Sequence, residues 1–280
     1  MSIRYIKSVS PDTQRDIVKA VHKMLAVLDP SDVDDIDVTL AAMSGVEVDG
    51  TPSETIYRMH VVMDDNVAIA VQMCGVRRIA GTNLAVNMNA YVAKLPRYNG
   101  RILLKLNELA LEQAQDDAKA KGYILFASSA EASTQIMPMA ERRGGFVRLF
   151  IKQADGSYVE WKYLQPQLRY YKNGKPFRGE QPSAHHFMIA LHSGPDVTLI
   201  AGLIAFGIAE AVIDWSHRPP EHYFKNRLAY KLQRAHIQGF LDDLKAQLDS
   251  GQPEFLTLDH IDYLRKQGVV VSEYTEADGE

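Results

Sequence analysis

Alternating polar and apolar positions lay out the first half of the chain as strands and helices. Ile3 to Lys7 alternates and predicts a short strand. Ser10-Pro11-Asp12 then offers a hydroxyl cap, a first-turn proline and an acid near the helix dipole. Ile17, Val18, Val21, Met24, Leu25 and Leu28 follow at helical spacing, and Asp29-Pro30 closes the helix. A shorter apolar run, Val38 to Met43, predicts a second helix. Thr55 to Met63 and Asn66 to Val76 are β-rich and meet at Asp64-Asp65-Asn66, which reads as a hairpin. Asn83 to Leu95 is a third strand, with Leu84, Val86, Met88 and Ala90 on one face. Ile102 to Lys121 carries Leu103, Leu106, Leu109, Ala110 and Ala114 on one helical face and stops at Gly122. Tyr123 to Ser128 is a buried strand, and Ala154-Asp155-Gly156 turns Phe146–Gln153 back onto Ser157–Leu164.

Beyond residue 165 the pattern changes. Gln165 to Gly194 is rich in proline and glycine with Tyr170, Tyr171, Lys172, Lys175 and Arg178 interleaved, and reads as an extended arm packing on its own domain or a neighbour. Val197 to Ile213 is apolar almost all round. It is short for a bilayer core and contains Glu210, so a buried or subunit-contact helix is favoured over membrane insertion. Tyr223 to Leu248 is amphipathic, Leu258 to Lys266 is a last short helix, and Glu273 to Glu280 is an acidic tail.

A net charge of −4 over 280 residues weighs against a dedicated nucleic-acid binder. The single cysteine, Cys74, excludes an intrachain disulfide framework and suits a reducing compartment. MSIRYIKSVSPDTQ has no apolar signal core, so a cytoplasmic location is expected, or assembly into a virion as the alternative. Asp32, Asp34, Asp35 and Asp37 lack the glycine and distal glutamate of a calcium loop. His185, His186 and His192 fit no metal spacing, so no metal is expected.

The stretch GYILFASSAEASTQIMPMAERRGGF, Gly122 to Phe146, and the order strand, helix, helix, three strands, helix, strand, helix, hairpin resemble the GNAT acyltransferase family. The resemblance covers about residues 1–165. It implies an α/β (α+β) fold with a mixed, mostly antiparallel sheet flanked by helices. A Pro/Gly-rich arm, 166–195, and a mostly helical region, 196–280, would follow.

The resemblance also implies a chemistry. In the family a loop of pattern Gln/Arg-x-x-Gly-x-Gly/Ala cradles the pyrophosphate of acyl-CoA on backbone amides and a helix N-terminus. Arg97-Tyr98-Asn99-Gly100-Arg101-Ile102 stands in that place, making Arg97, Asn99, Gly100 and Arg101 the cofactor-binding candidates. Ile102 replaces the small residue that admits phosphate. The family's tyrosine acid is Glu141 here, and a glutamate is a poor proton donor near neutral pH. Thr134 replaces an asparagine. If the chain is active, Glu141, Tyr123 and Asp64 are the catalytic candidates, with Tyr98, Asp65 and Glu131 behind them.

Such an eroded loop favours a non-catalytic interaction or structural protein that uses no cofactor, in concrete form a bacteriophage virion component. It would assemble as a homo- or hetero-oligomer through residues 166–280. The alternative is an acyl-CoA-dependent N-acetyltransferase with an atypical pyrophosphate loop and acetyl-CoA as cofactor.

Overall fold

A computed structural model describes residues 3–6, 11–28, 36–46, 53–132, 137–165, 171–175, 183–192, 201–217 and 221–274. Asp32, Asp34, Asp35, Thr134, residues 166–170, 176–182 and 193–200, and the acidic tail from Thr275 lie outside them, as do the side chains of Asp37 and Glu131. The fold is mixed α/β, with mostly antiparallel strands flanked by helices. The chain divides into two compact units, Met1–Arg78 with Thr82–Leu125, and Ile79–Gly81 with Phe126–Glu280.

The first unit begins with β1 (Ile3–Ile6), α1 (Pro11–Leu28) and α2 (Ile36–Met43). β2 (Ile56–Asp64), β3 (Val67–Arg78) and β4 (Leu84–Lys94) follow, then α3 (Arg101–Ala120). β1 to β4 are antiparallel neighbours in chain order. Asp64 pairs with Val67, so the predicted hairpin closes on Asp65 and Asn66, and Asp65 sits at φ 53°, a region aspartate tolerates. In the β3–β4 ladder Met73 pairs with Tyr91 but Cys74 with Asn89, which leaves Ala90 as a bulge.

α3 buries Ile102, Leu106, Ala110, Ala114 and Ala118, a ladder of every fourth residue against the sheet. Ile102 and Leu106 meet Val62, Ile69 and Ala70, whereas Ala114 and Ala118 meet Val76, Ala85 and Leu125. Burial of each large side chain contributes about 1.5–3 kcal/mol. Gly122, at φ 72°, ends the helix, and the Tyr123 amide reaches back to the Ala118 carbonyl at 2.9 Å.

The second unit opens on β5 (Ile124–Ala132), most of which belongs to it, and α4 (Met137–Gly144). β6 (Val147–Lys152), β7 (Tyr158–Glu160), β8 (Lys162–Gln165) and β9 (Ser183–Leu191) come next. β9 inserts between β5 and β6, antiparallel to both, with Ile189 facing Ser129 on one side and Val147 on the other. Residues 183–191 are therefore not arm. Phe187, Met188 and Ile189 are buried, and Phe187 closes an aromatic cluster with Trp161 and Tyr163 at centroid distances of 5.0 and 5.7 Å. The polar Ser-Ala-His-His start and the flanking prolines hid this strand from pattern reading.

The C-terminal region holds α5 (Ala201–His217), α6 (Arg227–Asp249) and α7 (Leu258–Lys266). It also adds two strands that sequence reading missed. β10 (Gln252–Leu256) pairs with β6, and β11 (Val271–Ser272) runs parallel to β7. α5 buries Ala201, Ile204, Ala205 and Ile208 and leaves Leu203 exposed. Among the described residues no helix is long and apolar enough to cross a membrane. No group of histidine, cysteine or acidic residues among them could hold a metal ion.

Candidate functional site

The segment between β4 and α3 places the cofactor-binding candidates together. The Leu95 amide donates to the Ile69 carbonyl at 2.9 Å, and the Tyr98 amide closes a turn onto the Leu95 carbonyl at 3.1 Å. Asn99 starts the helix: its Oδ1 accepts from the Arg101 amide at 3.0 Å and its carbonyl from the Ile102 amide at 3.2 Å. The amides of Asn99 and Gly100 donate to no group among the described residues. Arg97, Asn99, Gly100 and Arg101 are all exposed, and a Cβ added at Gly100 would meet nothing within 4 Å. Two exposed arginines thus bracket, along the chain, two unsatisfied amides at an open helix start, a set of groups that suits an anion.

Ile102 departs from its expected role. It is 9% exposed, packed with Leu106, Val62 and Ile69. The helical period turns position 102 toward the sheet, so its bulk fills core and not the space in front of the turn. The inference of an eroded loop drawn from Ile102 is corrected on that ground.

Asp64 joins this turn. The Arg97 Nη2 donates to the Tyr98 hydroxyl at 3.1 Å, and that hydroxyl donates to Asp64 Oδ2 at 3.0 Å. The Arg97 guanidinium also lies 5.0 Å from the Tyr98 ring centroid. Asp64 Oδ1 is buried and has no hydrogen-bond partner among the described residues. Nearby, fully buried Gln72 donates from Nε2 to Asn89 Oδ1 at 2.9 Å and to Asn107 Oδ1 at 3.2 Å, linking β3, the strand beside the bulge, and α3.

The other two catalytic candidates lie elsewhere. Tyr123 follows the far end of α3, about 30 Å along the helix from Gly100 at 1.5 Å per residue. Its ring carries Arg78 at 5.8 Å and packs against the cluster of Val76, Ala85 and Leu125. Glu141 belongs to the second unit, 9% exposed, where Arg148 Nε donates to its Oε1 at 2.7 Å. Arg148, fully buried, also donates from Nη1 to Glu160 Oε2 at 2.9 Å and meets Glu273 Oε2 at 2.7 Å. Glu160 Oε1 holds His186 Nδ1 at 2.6 Å, and its Oε2 accepts from the Tyr274 amide at 3.1 Å. Burial pushes the Glu141 carboxyl up, although its bond to Arg148 pulls the other way. A carboxylate so engaged ties α4 to β6 and is not positioned as a free acid, while Arg148 and Glu160 join β6, β7, β9 and the tail.

Sequence reading missed this ion cluster, and also a Ser128–His192 hydrogen bond of 2.8 Å. The partners are far apart in the chain, and only the pairing of β5, β9 and β6 brings them together. An arginine in an apolar run, Val147-Arg148-Leu149-Phe150, was the signal available.

No family model matches the chain, and no curated protein matches it. Among solved structures, a GNAT-family acetyltransferase from Streptococcus pneumoniae aligns at 13% identity and TM-score 0.41, over 68% of this chain and 100% of that one. Arabidopsis thaliana Naa50, in complex with the bisubstrate analogue CoA-Ac-MVNAL, aligns at 10% identity and TM-score 0.41, over 69% and 100%. Salmonella typhimurium yncA, solved with its cofactor acetyl-CoA, aligns at 16% identity and TM-score 0.38, over 70% and 99%. These are partial likenesses of fold, too distant to assign an activity. The expected absence of a cofactor is nonetheless corrected. It rested in part on Ile102 blocking the loop, and that side chain is buried in the core.

Proposed function

We propose that this protein is an acyl-CoA-dependent N-acyltransferase that holds the cofactor's pyrophosphate at the turn between β4 and α3. The observation that carries the reading is the inward side chain of Ile102. It leaves the Asn99 and Gly100 amides without a bond inside the turn, between the exposed residues Arg97 and Arg101. Those amides would donate to phosphate oxygens, and the two arginines would offset their charge. The Arg97–Tyr98–Asp64 chain ties the turn to the end of β2. When bound, acyl-CoA supplies an activated thioester. Ala90 has no partner in the β3–β4 register, and an amide free at such a bulge would be the kind of donor that stabilises a carbonyl oxygen as charge develops on it. Glu141, bound to Arg148, takes no acid role in this reading.

Calorimetric titration with acetyl-CoA tests it. Micromolar binding is expected, weakened about tenfold or more by Arg97→Ala or Arg101→Ala, since a hydrogen bond from a charged group contributes about 1.5–3 kcal/mol. Absence of binding heat at several temperatures would end the reading.

A second reading, assembly through residues 166–280, is favoured by Leu228 and Leu232. These lie one turn apart on α6, 66% and 49% exposed. Light scattering on the full chain tests it: a strictly monomeric protein at high concentration contradicts self-assembly.

A further inference from the structure

Ser128 and His192 sit on neighbouring strands of the second unit. Ser128 pairs with Ala190 in the β5–β9 ladder, and the His192 amide extends that ladder by donating to the Phe126 carbonyl at 2.7 Å. The backbone therefore fixes both side chains, and the Ser128 Oγ lies 2.8 Å from His192 Nε2. Other polar clusters are already committed. His186 is held by Glu160, and Arg58 makes a double hydrogen bond to Asp117 at 2.9 and 2.8 Å. Cys74 is buried.

The surroundings of the pair suit a chemical role. Ser128 is 6% exposed, which screens its hydroxyl from bulk water, while His192 is half-buried and reachable. A serine hydroxyl is a weak nucleophile until an adjacent base takes its proton. A base working at neutral pH must be uncharged and must present a lone pair to that hydroxyl. Burial lowers the His192 pKa, so the imidazole is neutral near pH 7. With the proton on Nδ1, Nε2 is free to accept from Ser128.

We propose that Ser128 and His192 form a nucleophile–base pair that accepts an acyl group from an activated ester or thioester. The Ser128 Oγ attacks the acyl carbon, and its proton passes to His192 Nε2. The new C–O bond forms as the bond to the leaving oxygen or sulfur breaks. His192 returns the proton to that leaving group, giving an acyl-serine and a free alcohol or thiol. Water or an amine then attacks the acyl-serine, again losing its proton to His192, and restores the hydroxyl. No oxidant or metal enters the balance. The pair lies wholly within the second unit and does not require the turn before α3, so it stands or falls separately from cofactor binding.

The test uses the full chain and p-nitrophenyl acetate, which needs no CoA site. Mass spectrometry of the digested protein is expected to find one acetyl group on the peptide carrying Ser128, at Ser128. Ser128→Ala removes the label. His192→Gln slows acylation about a hundredfold or more with an unchanged thermal midpoint. Ser129→Ala labels like wild type. The wild-type acylation rate is flat through neutral pH and falls only below the ordinary histidine value of about 6.5, as His192 gains a proton. Acetylation confined to other side chains overturns the proposal. So does an unchanged rate in folded His192→Gln, or a rate that still climbs with pH above neutrality. Should His192→Gln fail to fold, the wild-type pH profile decides.

Discussion

Replacing Arg148 with methionine removes a cation in direct contact with three carboxylates. The side chains of Arg148 and Glu160 are 1% exposed and that of Glu141 is 2% exposed, so water cannot take over the lost bonds. The arginine makes contacts of 2.7 Å to Glu141, 2.9 Å to Glu160 and 2.7 Å to Glu273. Removing one partner of a buried ion pair costs about 3–5 kcal/mol, because the remaining charge is stranded. Unfolding a unit of this size shifts by roughly 2–4 °C per kcal/mol, so the midpoint should fall by roughly 6–20 °C. Differential scanning calorimetry, with urea unfolding as a second probe, reads both quantities. The deficit should shrink as pH falls, because protonation removes the stranded negative charge. Adding Glu141→Gln and Glu160→Gln to Arg148→Met should recover most of the loss. A loss below about 1 kcal/mol, the range of exposed pairs, would refute the reasoning, as would a deficit that the added glutamines leave untouched.

Three further outcomes are expected. Burial alone would raise the Glu273 carboxyl, but hydrogen bonds from Arg265 and Arg148 outweigh it and hold the group below its ordinary range. Its stabilisation is thus present above the unfolded value of about 4.3 and is lost as pH falls through the folded one. The stability gap between wild type and Glu273→Gln should therefore close in acid. Burial, with Asp117 second, pushes the Cys74 thiol up to about 12, so a disulfide reagent at neutral pH should not modify it until the protein unfolds. Ile102→Gly should cost about 2–5 kcal/mol in chemical denaturation, as a large-to-small core change does, without tightening acetyl-CoA binding. Tighter binding would put the isoleucine back in front of the turn.

Local pattern carried much of the architecture. The β2–β3 hairpin, the long α3 and its Gly122 stop follow from alternation, helical period and a positive φ, all short-range rules. Ile102 shows where a motif misleads. Reading it as a loop residue ignored that it also opens an i, i+4 ladder with Leu106, Ala110 and Ala114, and the ladder decides where it points. Arg148 shows the opposite failure. A charge inside an apolar run announces that a partner exists, but not that three acids from α4, β7 and the tail supply it. The turn at Arg97 to Arg101 was legible as a unit because its residues are adjacent. The three catalytic candidates were not legible as a unit, because Asp64, Tyr123 and Glu141 have only the resemblance in common.

The insertion of β9 has a consequence for synthesis. β5 and β6 leave the ribosome well before the strand that joins them, since β6 ends at Lys152 and β9 begins at Ser183. At typical elongation rates that interval lasts roughly two to six seconds. Throughout it the backbone groups of Ala127 to Ala132 that will face β9, and those of Val147 and Arg148, have no ladder partner. A nascent chain in that state presents open strand edges to its neighbours. Trigger-factor-like holding, slower initiation or a lower growth temperature should thus raise the yield of native protein more than any change to the finished fold.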